Sequence, residues 1–166
     1  MKVGILGAGN ISDTHARAAL GIPGVEIAAV CGTNREKAER MAAKYGGTAY
    51  DDLSRFLDHR SLDIVAIGTP SGVHAEQAIA AIGKGIHVLS EKPLDVTTAK
   101  VDSVVNAAER AGVKVGVFFQ DRLKKDDDNE GKRKDKKETL LHSRFLLRIM
   151  KVCQLIYRFP SSIRRR

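Results

Sequence analysis

Cysteine is nearly absent. The two present in 166 residues, Cys31 and Cys153, form neither a C-x-x-C pair nor any metal-ligand spacing. That argues against a disulfide scaffold, a zinc site or thiol redox chemistry, and leaves a reduced thiol as the expected state of both. Long apolar runs are missing too, since no uncharged stretch reaches the ~20 residues needed to span a bilayer. The opening "MKVGILGAGN" enters a strand pattern at once and lacks the apolar core and small-residue cleavage site of a secretory signal. The expectation is a cytoplasmic protein, with enough chain for one domain and a sizeable core.

Net charge is missing from most of the molecule. Residues 1–120 hold 13 Lys/Arg and 13 Asp/Glu, so the whole +8 of the chain comes from residues 121–166, with 15 against 7. Glycine has the opposite bias, 14 of 15 lying before Asp121. The chain therefore reads as two unlike segments joined near Gln120. We take 1–122 as a folded domain and 123–166 as a basic tail.

What is present in the first segment is alternation. Short apolar runs ("VGIL", "VEIAAVC", "TAY", "DIVAIGT", "IHVLSE", "VKVGVFF") are separated by stretches of helical period such as "NISDTHARAAL", "REKAERMAAKYG" and "VTTAKVDSVVNAAERAG". Runs without polar alternation fit strands buried on both faces. Strand–helix alternation implies parallel pairing with right-handed crossovers. Six strands and five helices predict an α/β fold, a doubly wound parallel sheet in the order 3-2-1-4-5-6.

The first strand leads into "GAGNIS", a Gly7-x-Gly9-x-x-Ser12 turn that opens a helix. Gly7 permits the tight turn, Gly9 lets a diphosphate approach the backbone, and small Ser12 suits close helix–strand packing. The free N–H groups at Asn10 and Ile11, together with the helix dipole, then hold the anion. This is the pattern of a dinucleotide site, with a purely structural glycine turn as the bland alternative. An acidic residue is expected about 20 residues on, at the end of the second strand, to bind the adenosine ribose. Gly32 stands there instead, followed by Thr33, Asn34 and Arg35. Without a carboxylate to repel a 2′-phosphate, these three residues can bind one, so NADP is favoured over NAD. The competing reading makes them only the cap and first turn of the second helix.

Strands four and five end in "GTPSGVH" and "HVLSEKPLDV", at the carboxyl edge where ligands bind in such sheets. With "GAGNIS", "TPSGVHAEQAIAAIGKGIHVLSEKPL" resembles the N-terminal Rossmann domain of the Gfo/Idh/MocA oxidoreductases, which are related to glucose–fructose oxidoreductase and inositol 2-dehydrogenase. The resemblance runs over about residues 1–122, and Glu91-Lys92-Pro93 after "HVLS" is its most specific part. It implies that Lys92 is the catalytic lysine beside the nicotinamide, and that Glu91 orients the cofactor end of the site. It also implies that Thr69, Pro70 and His74 line the cofactor, that Gln120 lies near the nicotinamide, and that Arg122 matches the family's arginine. Read singly, His74 is better explained as a strand-end turn or helix cap. His15 and His87 read as packing residues.

The resemblance further implies an NAD(P)-dependent dehydrogenase acting on a sugar, polyol or related hydroxyl or aldehyde. Family members continue into a second, substrate-binding domain, and none is legible after Leu123. "KKDDDNEGKRKDKKE" is too polar to bury a core. The segment "TLLHSRFLLRIMKVCQLIYRF" is apolar and basic, and His142 within it has no second-domain pattern around it. A frame shift or fusion after about residue 123 accounts for the change, with a functional basic tail as the rival reading. The charge run carries no aromatic residue for base stacking, so nucleic acid is not an expected partner. A homo-oligomer stays open. Two functions therefore remain at this point: a sugar or polyol oxidoreductase, catalytically incomplete in this form, and a non-catalytic dinucleotide-binding module.

Overall fold

A computed structural model of the chain describes residues 1–119. Six strands alternate with five helices: β1 Lys2–Leu6, α1 Asn10–Leu20, β2 Glu26–Cys31, α2 Arg35–Tyr45, β3 Thr48–Tyr50, α3 Leu53–Leu57, β4 Ile64–Ile67, α4 His74–Gly83, β5 His87–Ser90, α5 Thr98–Ala111 and β6 Val115–Val117. All strands pair in parallel, in the order β3-β2-β1-β4-β5-β6. The doubly wound sheet expected from the alternation is therefore observed. Chain order reverses between β1 and β4, and the crevice at their carboxyl ends is where such sheets hold ligands.

The apolar strands feed two cores because successive side chains point to opposite faces. On one face Val3, Ile5, Ile27, Ile64 and Leu89 pack with Ala16 and Ala19 of α1 and Met41 of α2. On the other, Leu6, Val65, Ile67 and Val88 pack with Phe56 of α3, Ala78 of α4 and Val104 of α5. Burial on both faces is the reason these strands show no polar alternation. Helix ends follow local chemistry. Asn34 caps α2 by accepting from the Lys37 N–H at 2.9 Å, and Asp52 caps α3 through the Arg55 N–H at 2.8 Å. The fourth helical segment of the sequence pattern, within "GVHAEQAIAAIGKG", divides in two: a single 3-10 turn over Ser71–Val73, then α4 from His74. Pro70, extended at φ −61° and ψ 144°, sets that start. No helix among the described residues is long and apolar enough to cross a membrane.

Candidate functional site

The turn after β1 lies at the reversal point. Gly7 has φ +116°, and a Cβ there would lie 2.6 Å from Ser12 Oγ and 2.8 Å from the Gly68 carbonyl oxygen. Only glycine fits, on conformational and steric grounds together. Its N–H donates to the Cys31 carbonyl at 2.7 Å, and the Gly68 N–H donates to that of Leu6 at 2.7 Å, pinning the turn between β2 and β4. Ser12 is fully buried with its hydroxyl 3.5 Å from the Gly68 carbonyl, so the small third position is a helix–strand contact, as the spacing predicts.

Gly9 differs. It is the N-cap of α1 with ordinary extended backbone, φ −104° and ψ −173°, and a Cβ there would meet no protein atom within 4 Å. Neither conformation nor packing requires glycine at this position, which leaves open space beside the backbone. Gly9 has no side chain with which to cap α1, and the first intrahelical bond runs from the Asp13 N–H to the Gly9 carbonyl at 3.1 Å. The N–H groups of Asn10, Ile11 and Ser12 therefore precede the helical ladder at the positive end of an 11-residue helix. A diphosphate fits this cradle.

The ends of β4 and β5 are clasped together. The buried ring of His74 reaches two backbone carbonyls, that of Thr69 at 2.6 Å from Nε2 and that of Pro93 at 2.8 Å from Nδ1. Carbonyls only accept, so both contacts are hydrogen bonds when both nitrogens carry protons. The ring holds the two strand-end segments and presents no polar atom toward the crevice. Thr69 donates its hydroxyl to Gln77 at 2.5 Å, and Pro70 is exposed.

Glu91, at the tip of β5, is 7 % exposed. One carboxylate oxygen lies 3.0 Å from His15 Nε2, and the other accepts the Lys92 N–H at 3.2 Å. The buried His15 ring stacks on Phe118 at 4.4 Å between centroids. Sequence reasoning assigned His15 only to helix packing. Its partner is 76 positions away, and no local pattern reports such a pair. Lys92 projects from this anchored segment and is exposed. The Lys92–Pro93 peptide is cis. The lysine and the glycine turn thus share the carboxyl edge of one sheet.

At the end of β2 the predicted phosphate-binding residues are otherwise engaged. Asn34 spends its side-chain oxygen on the α2 cap. Arg35 pairs with Glu39 at 2.7 Å and Asp51 at 3.5 Å, and the hydrogen bond to Glu39 in particular raises its pKa. Thr33 is exposed. Gly32 sits so close to the glycine turn that a Cβ would lie 2.8 Å from that of Ala8. Between α1 and α2, Asp13 accepts from Lys44 Nζ at 2.8 Å and from the Tyr45 hydroxyl at 2.6 Å, and pairs with Arg17 at 3.2 Å. Burial alone would raise the Asp13 pKa, but these partners bring it below its ordinary value. Gln120, Arg122, His142, Cys153 and the charge run lie outside the described residues.

The model of an oxidoreductase family with an NAD-binding Rossmann fold, Gfo/Idh/MocA, matches residues 1–119. A glucose-6-phosphate 3-dehydrogenase of Bacillus subtilis is 34 % identical over 121 residues, 73 % of this chain and 34 % of that protein. A scyllo-inositol 2-dehydrogenase (NADP(+)) of the same organism is 32 % identical over 114 residues, 68 % of this chain and 35 % of that one. The crystal structure of the WlbA dehydrogenase from Bordetella pertussis, in complex with NADH and UDP-GlcNAcA, superposes with a TM-score of 0.70 at 33 % identity, over 74 % of this chain and 36 % of that one. The chain spans about a third of the length of the relatives it matches.

Proposed function

The chain belongs to the Gfo/Idh/MocA oxidoreductase family, and from that premise we propose that it is the dinucleotide-binding part of an NAD(P)-dependent oxidoreductase acting on a hydroxyl or aldehyde of a sugar, polyol or related compound. One observation carries the reading: a glycine whose missing side chain serves nothing in the protein, Gly9, shares a sheet edge with an exposed lysine on an anchored strand tip, Lys92. The sugar and inositol names of the relatives support the substrate class.

When bound, an oxidised nicotinamide supplies the hydride acceptor. The turn at Gly7 and Gly9 and the N–H groups of Asn10 and Ile11 hold the diphosphate. Thr69 and Pro70 form the wall at the end of β4, and the family resemblance implies that Gln120 lies near the nicotinamide. Lys92 hydrogen-bonds the substrate hydroxyl, relays its proton and stabilises the developing oxyanion character. In the reverse direction its ammonium donates to the carbonyl oxygen. Glu91 holds the Lys92 N–H and so fixes the segment from which the side chain projects. His74 keeps that segment against the end of β4.

The test is turnover of a sugar and polyol panel with NADP and NAD, read as reduced-nicotinamide absorbance. Lys92→Ala should lower turnover by about 10²–10⁴-fold, the range for a lost proton-transfer group. Unchanged turnover in that variant removes the lysine from the chemistry. The same panel separates this from the other function the sequence leaves open, a module that binds the dinucleotide without turning over. Saturable binding with no turnover on any substrate supports it.

A further inference from the structure

We propose that His15 is a positioning residue for the reaction: through Glu91 it sets the backbone of Lys92 against the helix that holds the diphosphate. The inference rests on the reading of Lys92 as the proton-relaying group, and it reaches back from there to a fully buried residue of α1.

Lys92 stands between two anchored neighbours. On its C-terminal side, the Pro93 carbonyl accepts from His74 Nδ1 at 2.8 Å. On its N-terminal side, the Glu91 N–H donates to the Ile67 carbonyl at 2.9 Å, which fixes that backbone to β4. The Glu91 carboxylate bridges two donors. Its Oε2 accepts the Lys92 N–H at 3.2 Å, and its Oε1 lies 3.0 Å from His15 Nε2. A carboxylate only accepts, so Nε2 carries the proton. The bridge is enclosed. His15 is 0 % exposed and stacks on Phe118, whose N–H donates to the Ser90 carbonyl at 2.9 Å. Along α1, His15 lies six residues beyond Gly9, about 9 Å further down the axis.

Packing alone does not call for this pair. His15 shares the buried side of α1 with Ala16 and Ala19, where an apolar side chain would pack on Phe118 without desolvation. Burying a carboxylate is costly, and a buried ionic pair is weak evidence of added stability. What the pair does fix is geometry, and the geometry is that of the residue next to Glu91. Because His15 belongs to α1, one bond sets the lysine's segment relative to the N–H groups at the start of the same helix.

The experiment is amide hydrogen exchange of the folded chain, followed by NMR at Lys92. The Val88 amide of β5, which donates to the Lys114 carbonyl at 2.9 Å, is the internal reference for opening of the sheet. His15→Phe keeps a ring to stack on Phe118 and has no donor; His15→Gln keeps a donor and loses the ring. His15→Phe should speed Lys92 exchange about tenfold relative to Val88, and His15→Gln should stay within about twofold of the parent, as a role in hydrogen bonding requires. His15→Leu carries the same test if His15→Phe does not fold. On a substrate that turns over, His15→Phe should lower kcat about 10–100-fold with KM within about twofold, and His15→Gln should restore it. Lys92 exchange that follows Val88 in every variant overturns the inference. So does rescue by Phe and not by Gln, the pattern of a packing role, or an unchanged kcat in His15→Phe. A parent that binds no reduced dinucleotide refutes the oxidoreductase reading itself. A parent that binds NADPH, with Lys92 exchange indifferent to His15, refutes only the positioning role. If it binds without turnover, the exchange rates decide.

Discussion

Substituting alanine at the two glycines of the turn separates folding from binding. At Gly7 the backbone has φ +116°, and the new Cβ would fall 2.6 Å from Ser12 Oγ and 2.8 Å from the Gly68 carbonyl oxygen. Backbone strain of about 1–3 kcal/mol is the minimum, and displacement of α1 from β4 adds to it. A loss of about 2–4 kcal/mol corresponds to a Tm drop of roughly 10–20 °C, since ~1 kcal/mol moves a domain of this size by several degrees. At Gly9 the backbone is ordinary and the Cβ meets nothing within 4 Å. Gly9→Ala should therefore keep stability within about 1 kcal/mol of the parent. It should weaken NADPH by about 10–100-fold, the effect of disturbing one hydrogen bond to a charged group at ~1.5–3 kcal/mol. Tm comes from thermal melts followed by circular dichroism. The chain has no tryptophan, so affinity is read from reduced-nicotinamide fluorescence or calorimetry instead of energy transfer. A Gly9→Ala protein that melts as early as Gly7→Ala, or that binds NADPH like the parent, refutes the assignment of Gly9 to a ligand.

His87 and Cys31 give two further tests. Burial lowers the His87 pKa, with the charge of Asp63 opposing and that of Lys114 adding, and Nδ1 accepts the Lys114 N–H at 3.0 Å. The neutral ring is the folded form, so its contribution is complete above the unfolded pKa of ~6.5 and is lost as pH falls from there toward the lower folded value. The Tm of the parent should fall more steeply below about pH 6.5 than that of His87→Asn, whose amide oxygen keeps the acceptor. Equal slopes refute it. Burial, helped by Asp52 and Asp51, pushes the Cys31 thiol up to about 11. In a Cys153→Ser background an aromatic disulfide reagent should react only after denaturation, and rapid labelling of the native protein would contradict a buried thiol.

The parts of this molecule that rest on local pattern were legible in the sequence. Helix α1 spans the residues its period predicts, Asn10–Leu20, and α2 and α5 end at Gly46 and Gly112, where the chain turns to positive φ. Apolarity in β1, β4 and β5 reports burial on two faces, and strand–helix alternation supplied the sheet order. Local backbone geometry was legible where a motif forces it, at Gly7-x-Gly9-x-x-Ser12. The site was not legible where side chains choose partners across the fold. Spacing nominates Arg35 as a phosphate ligand, but Asp51 lies 16 positions on and competes for the guanidinium. His74 reads as a cofactor-lining residue or a cap, whereas its ring joins the carbonyls of Thr69 and Pro93. The Glu91–His15 pair and the crowding of Gly32 by Ala8 follow from helix and strand placement that no window of sequence contains.

The most direct measurement is calorimetric titration of the folded chain with NADPH and with NADH. We predict saturable association at one site per chain for at least one reduced dinucleotide, weakened by Gly9→Ala. A cooperatively melting sample that shows no saturable heat with either would contradict the claim that the turn after β1 holds a dinucleotide.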